Sequence, residues 1–409
     1  MNGFKLVSHP HAANAPGTTP SALLVVCFAM TVLHVVFFPM MYRSGGWLFD
    51  ENGLGIPTDF VNVWSAGRLA LQGTPWLAYD WDVQKAVQVA ELGQTWVGVF
   101  AWHYPPPFLF VASLLAKFPY AVAYVGWALV SLVPYLVAMR AIVGRPVGWL
   151  VGLGFPVVLT NILVGQNGFL TASLIGGFLV LLPVRPVLAG ICLGLLSYKP
   201  QYGLLFPLLL IVSAQWTAFV SAGVVAALLA AASWLVFGTE SWQAFFHWIP
   251  MWSQAFLTEG RAPWGKLQSI FALVRYCGGS EPLAWAFQWT LATAVALALV
   301  TLWRSNVRYA LKAAGLAVGT LLVTPYLFLY DLMVMAIAIG FLVRLGLAHG
   351  FLRNELASLA MVAALLMFFP LFGAPTGFAA TLIVTALIAR RCGVFDRLFM
   401  QGRVHTANA

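Results

Sequence analysis

Residues 21–42 read SALLVVCFAMTVLHVVFFPMMY, a run of about twenty residues without an acid, a lysine or an arginine, long enough as a helix to cross a bilayer. No convincing small-residue cleavage site follows it, so it reads as a retained span and not as a signal peptide. The rest of the chain continues in the same vein. Hydrophobic residues make up 61% of the 409 positions and charged residues 8%, where a soluble domain carries about 25% charged residues. The fold class follows: an all-α, polytopic integral membrane protein. A net charge of +9 does not point to nucleic acid, because the basic residues are scattered singly between apolar runs, as topology signals are. Cys27, Cys192, Cys277 and Cys392 are far apart with no C-x-x-C pair, which argues against a disulfide framework or a zinc site.

Apolar runs punctuated by Pro, Gly and basic residues predict about twelve spans. They fall near 21–42, 121–139, 147–164, 169–183, 186–198, 202–214, 216–237, 282–303, 309–326, 329–344, 355–372 and 377–390. Pro106 to Lys117 is too short to cross and is expected to dip into the bilayer. Residues 1–20 read as a flexible cytoplasmic tail, 21–392 as the transmembrane domain and 393–409 as a second cytoplasmic tail. With the N-terminus inside, Arg140, Arg145, Arg185, Arg304, Arg308, Lys312, Arg344, Arg353, Arg390 and Arg391 fall in short cytoplasmic loops, as the positive-inside rule requires. Of the 12 acids only Glu355 and Asp396 fall inside. Acidic and Trp-rich material is therefore expected outside, in loops 43–105 and 238–282. The first loop predicts helices over 61–71 and 81–92, lying at the membrane interface. The second carries Trp242, Trp248, Trp252 and Trp264.

Four outward-facing clusters carry candidate chemistry. The first is Asp59 with Trp64-Ser65-Ala66-Gly67-Arg68, the second Trp102-His103-Tyr104-Pro105-Pro106-Pro107. The third joins Gly165-Gln166-Asn167-Gly168 to Tyr198-Lys199-Pro200-Gln201, and the fourth runs from Thr324-Pro325-Tyr326 to Tyr330-Asp331. Each has a plainer reading. Asp59 suits the N-cap of a helix starting at Phe60; His103 suits the interface; the prolines suit a first helical turn. Gln166 and Asn167 would serve a turn, Lys199 would snorkel, and Asp331 would cap the next helix. Against these stands convergence, since the topology puts all four clusters on one face at one depth. A carboxylate there can deprotonate an acceptor hydroxyl. Lys199 or Arg68 can hold a lipid phosphate and stabilise charge developing on it. Amide and aromatic side chains bind sugars, and apolar grooves hold a polyprenyl tail. With no nucleotide-binding glycine loop and no metal-ligand cluster, a lipid-borne sugar donor is easier to support than a nucleotide sugar, and no cofactor is expected.

At these residues the sequence resembles glycosyltransferase family 87, the polyprenol-phosphate-sugar-dependent transferases of the GT-C class that include mycobacterial alpha-1,2-mannosyltransferases. The matching stretches are Asp59-Phe60, Trp64 to Arg68, Tyr79-Asp80, Tyr104 to Pro107, Gly165 to Gly168, Lys199-Pro200-Gln201 and Pro325-Tyr326 to Tyr330-Asp331, in order over 55–345. The resemblance implies a GT-C fold in a bacterial inner (plasma) membrane, with an extracytoplasmic active site. It implies an inverting, metal-independent transfer of a hexosyl group, with Asp59 as base, from a polyprenyl-phosphate sugar to a lipid or glycan acceptor. The candidate substrate-binding residues are Arg68, His103, Tyr104, Gln166, Asn167, Lys199, Gln201, Tyr326, Tyr330 and Asp331. Mycobacterial members carry a histidine pair near Tyr330-Asp331; this chain has none there. A lipid or sugar-lipid transporter is the rival reading. It would show paired half-symmetry and charges near the midplane, where this chain keeps nearly every charge at span ends. A membrane scaffold would leave the convergence unexplained.

Overall fold

The computed structural model describes residues 17–98 and 100–393. Residues 1–16 and 394–409, with Asp396 and most of both expected tails, lie outside the described residues. Those described are all-helical, with isolated bridge pairs and no strand.

Five helices are long and apolar enough to cross a membrane, or six if one bent pair counts as a single span. They are Ser21–Arg43, Tyr120–Val143, Trp216–Thr258, Glu281–Arg304 and Leu329–His349. The protein is thus a multi-pass membrane protein, but the expected twelve full spans do not appear as such. Several are only about two thirds as long as a bilayer requires, including Gly168–Leu181, Pro186–Tyr198, Pro200–Val212, Tyr309–Leu322 and Glu355–Met367. At 1.5 Å per residue, a fourteen-residue helix reaches about 21 Å. The expected span 147–164 is two helices, Val147–Leu153 and Val157–Val164, bent by 57°. The break falls at Gly154-Phe155-Pro156, where Pro156 has no N–H to continue the ladder.

Burial sorts the spans by role. In the most apolar window of Leu329–His349, 78% of residues are buried inside the protein, against 6% in that of Trp216–Thr258. The first is a central helix, contacted by Tyr120–Val143, Gly168–Leu181 and Tyr309–Leu322. The second presents its apolar residues outward, as a lipid-facing helix does. Its backbone leaves the helical region at Gly238 (φ 79°), where the second outer loop was expected to begin. The chain then resumes as helix to Ser253 and a π-turn over Gln254–Thr258. That loop is therefore largely helical, because its apolar residues Phe245, Trp248 and Ile249 have a protein surface to cover.

The first outer loop also differs from expectation. Helices Phe60–Leu71 and Trp81–Leu92 are present, the latter capped by Asp80, whose carboxylate accepts from the backbone N–H of Asp82 and Val83 at 2.9 and 3.1 Å. Phe60–Leu71 does not lie with one face free at an interface. Phe60 to Gly67 are all buried, and the helix rests on Leu109–Leu115, the short apolar helix after the prolines.

Gly67 makes that seat possible, since a methyl group there would sit on the Ala112 carbonyl. Gly67→Ala is expected to cost about 1–3 kcal/mol, as overpacking does, and to lower the melting temperature of the purified protein. Gly126→Ala, where nothing lies within 4 Å, is expected to leave it unchanged or raise it. Equal melting of the two variants would count against the helix seat.

Candidate active site

Short connections between broken helices bring the site together. Gly165, at positive φ (68°) after Val157–Val164, turns the chain so that Gln166 and Asn167 enter the protein. A side chain there would run into Phe60 and Tyr124. Lys199 stands between the 3-10 turns Leu196–Tyr198 and Pro200–Gly203 at φ −131°, ψ 71°, outside the helical region that a following proline disfavours. Asp59 opens the helix Phe60–Leu71.

Asp59 does not cap that helix. Its own backbone is already helical (φ −58°, ψ −28°) and its side chain accepts no cap hydrogen bond, whereas a capping residue has extended backbone. Its Oδ2 instead accepts from Gln166 Nε2 at 3.0 Å, across 107 residues of chain. Gln166 Oε1 accepts from the Tyr104 hydroxyl at 3.2 Å, and Asn167 Nδ2 donates to that hydroxyl at 2.9 Å. Tyr104 is fixed in turn by Tyr79, whose hydroxyl donates to the Tyr104 carbonyl at 2.9 Å. Gln166 and Asn167 therefore do more than turn the chain: they orient the carboxylate and a tyrosine against each other.

Burial pushes the Asp59 carboxyl up to about 6, against the opposing effects of the Gln166 hydrogen bond and the Lys266 charge. Asp59 is half-buried, so it keeps access while losing much of its hydration. A carboxylate with this pKa is largely ionised at neutral pH and still basic enough to take up a proton.

Lys199 is 4% exposed and does not snorkel; its Nζ donates to Asp331 Oδ1 at 2.7 Å, with Asp331 equally buried. The other carboxylate oxygen of Asp331 accepts from Phe328 N at 3.1 Å, so Asp331 both caps its turn and neutralises the lysine. The ammonium also lies 5.5 Å from the Tyr330 ring centroid and 5.6 Å from that of Tyr202.

Lys199 also lines a cavity of about 230 Å³. His103, Tyr104, Lys199, Gln201, Trp252 and Tyr326 contribute to its wall. His103 stacks between Tyr104 and Trp252 with centroids 4.5 and 4.8 Å away, and Trp252 meets Tyr326 edge-on at 4.3 Å. Burial, helped by the Lys199 charge, pushes His103 down to about 4 despite its bond to the Ala101 carbonyl. At neutral pH it is an uncharged ring in an aromatic wall. The Trp252 indole N–H is buried without a hydrogen-bond partner among the described residues.

Ten of the eleven expected site residues thus gather around one centre; Arg68 does not. It is exposed, with its guanidinium 5.3 Å from the Trp64 centroid and its charge acting on Glu91. Sequence reading missed Trp252, Tyr79 and Lys266 as members. Trp252 was visible only as one tryptophan of four in the second outer loop, and Tyr79 only within a matching stretch. For Lys266 the chain offers no local signal. Among the described residues no group of three or more His, Cys, Asp and Glu side chains could hold a metal ion.

Comparison with known proteins adds one finding. A model of glycosyltransferase family 87 matches residues 102–325, more than half of the chain. No curated protein and no solved structure matches. The matched stretch carries His103 to Gln201; Asp59 precedes it, and Tyr326 to Asp331 follow it, joined to it by the hydrogen bonds and ring contacts above. The chain belongs to glycosyltransferase family 87 and is a membrane glycosyltransferase.

Proposed function

We propose that this enzyme moves a hexosyl group from a polyprenyl-phosphate sugar to a lipid or glycan acceptor on the extracytoplasmic side of a bacterial inner membrane. Mannose is the sugar suggested by the family's mycobacterial members. Asp59 takes the acceptor's hydroxyl proton while that oxygen attacks the anomeric carbon. The bond from that carbon to the phosphate oxygen breaks, and polyprenyl phosphate leaves with the electron pair. Attack opposite the leaving group inverts the anomeric centre. The aromatic wall of His103, Tyr104, Trp252 and Tyr326 suits the apolar face of a sugar ring, and the unpartnered Trp252 N–H suits a sugar hydroxyl. Gln166 and Asn167 hold the base and Tyr104 in place. The Lys199–Asp331 pair carries no net charge and forms a polar floor.

One observation carries this reading. Asp59 is held by Gln166, which bonds in turn to Tyr104 of the aromatic cavity wall; it serves no helix cap and has its carboxyl pushed up to about 6. The direct test supplies purified protein with candidate polyprenyl-phosphate sugars and an acceptor, and measures release of polyprenyl phosphate.

The same assay has an expected pH dependence. A base works only when ionised, so kcat/KM should rise with pH and level off above about 6, falling about tenfold per unit below it. A flat profile between pH 5 and 8, in protein that stays folded, would remove Asp59 from the role of base.

A further inference from the structure

Resting on the donor reading above, we propose that Lys266 supplies the cation that meets the donor's phosphate, while Lys199 holds the site's shape. Lys199 already has a partner at 2.7 Å and is closed off with it, so its charge is spent within the protein. Several other cations of the outer loops are engaged as well. Arg261 pairs with Glu259 at 2.8 Å, Arg275 donates to the carbonyls of Gly279 and Thr258, and Lys85 donates to those of Trp96 and Gly98. Arg68 lies over Trp64. Lys266 is exposed, and its side chain makes no hydrogen bond or ion pair among the described residues.

Its backbone, by contrast, is held tightly. Gln268 is fully buried and its amide nitrogen donates to the carbonyls of Gly265 and Lys266, both at 3.0 Å. Its amide oxygen accepts from Gly377 N at 2.7 Å. The Gln268 N–H donates to the Leu327 carbonyl at 2.6 Å, Leu267 bridges to Phe328, and the Ser269 hydroxyl donates to the Pro325 carbonyl at 2.6 Å. The segment carrying the lysine is therefore tied to the one that forms the cavity wall at Pro325 and Tyr326 and continues to Asp331. Its charge reaches Asp59, more strongly than that of Lys199 does. A flexible, unpaired ammonium on a fixed backbone is what a mobile lipid phosphate needs: three donors that can follow it, without ordering the loop on each encounter. In an inverting transfer the base and the phosphate lie on opposite sides of the anomeric carbon. Lys266 acts on Asp59 through its charge and is not bonded to it.

The test measures binding of a short-chain polyprenyl monophosphate, and of the matching uncharged polyprenol, to the full-length protein. Wild type should prefer the phosphate, and raising salt should weaken that preference. Lys266→Gln should lose it by about tenfold or more, while Lys266→Arg should keep most of it. In turnover, Lys266→Gln should raise KM for the donor. It should also move the midpoint of the pH profile above its wild-type value, because Asp59 loses a favourable charge; a purely structural role would not move that midpoint. Retained phosphate preference in Lys266→Gln overturns the assignment and leaves the donor reading intact. Failure of wild type to distinguish phosphate from alcohol overturns the donor reading itself, and the assignment with it.

Discussion

Asp59→Asn is expected to fold as wild type does and to transfer sugar about 10²–10⁴-fold more slowly, the loss typical of a missing general base. The substitution is clean here for a structural reason. Asp59 contributes no side-chain cap, so nothing in the helix Phe60–Leu71 depends on its charge, and an asparagine oxygen can still accept from Gln166 Nε2. Donor binding should change little. The residual rate should lose its dependence on pH near 6, since the titrating group has gone.

Stability gives an independent check. The folded protein holds the Asp59 proton more tightly than the unfolded chain, with a pKa of about 6 against the ordinary aspartate value of 3.8. Stability from this group is therefore greatest below the unfolded value and is lost as pH rises through about 6. The asparagine variant lacks that penalty, so it should melt no lower than wild type at pH 7.5, and any gain should shrink toward pH 4. Wild-type turnover by a stable Asn variant would sink the assignment of the base.

The second large effect concerns Lys199 and Asp331. Removing one partner leaves a buried charge unpaired, which costs about 3–5 kcal/mol, so Lys199→Ala and Asp331→Asn should each melt far below wild type and lose activity. A variant carrying both Lys199→Met and Asp331→Leu removes both charges and should recover much of the stability, though not the activity. Thermal unfolding of the three purified variants separates the cases. A Lys199→Ala protein as stable as wild type would mean the pair contributes little to the fold. In that event Lys199 would again be open as a direct phosphate ligand.

Much of the site was legible in the chain, for particular reasons. Asp59, Tyr104, Gln166, Asn167, Lys199 and Asp331 stand out because polar residues are scarce in so apolar a sequence and fall at the edges of spans. A polar group in such a place must be partnered or be used. The choice between those outcomes was not legible. Whether Lys199 snorkels or pairs depends on a residue 132 positions away, and whether Asp59 caps or is held by Gln166 depends on a contact across 107. Local pattern carries no information about such distances. For the same reason the second outer loop read as interfacial tryptophans, although Trp252 stacks on His103 and the Lys266 segment is bonded to Leu327 and Pro325.

By itself the sequence determined that this is a helical membrane protein and which polar residues fall at the edges of its apolar runs, because hydropathy adds up along the chain and needs no knowledge of neighbours. Tertiary structure decided how many helices are long enough to span, because breaks at Pro156 and around Lys199 turn predicted spans into short pieces whose ends must be satisfied by other parts of the protein. It also decided what each polar residue does. A carboxylate's partner, burial and basicity are set by groups that folding brings to it, and for Asp59 those groups come from the Gln166 turn and the Lys266 segment as well as its own loop.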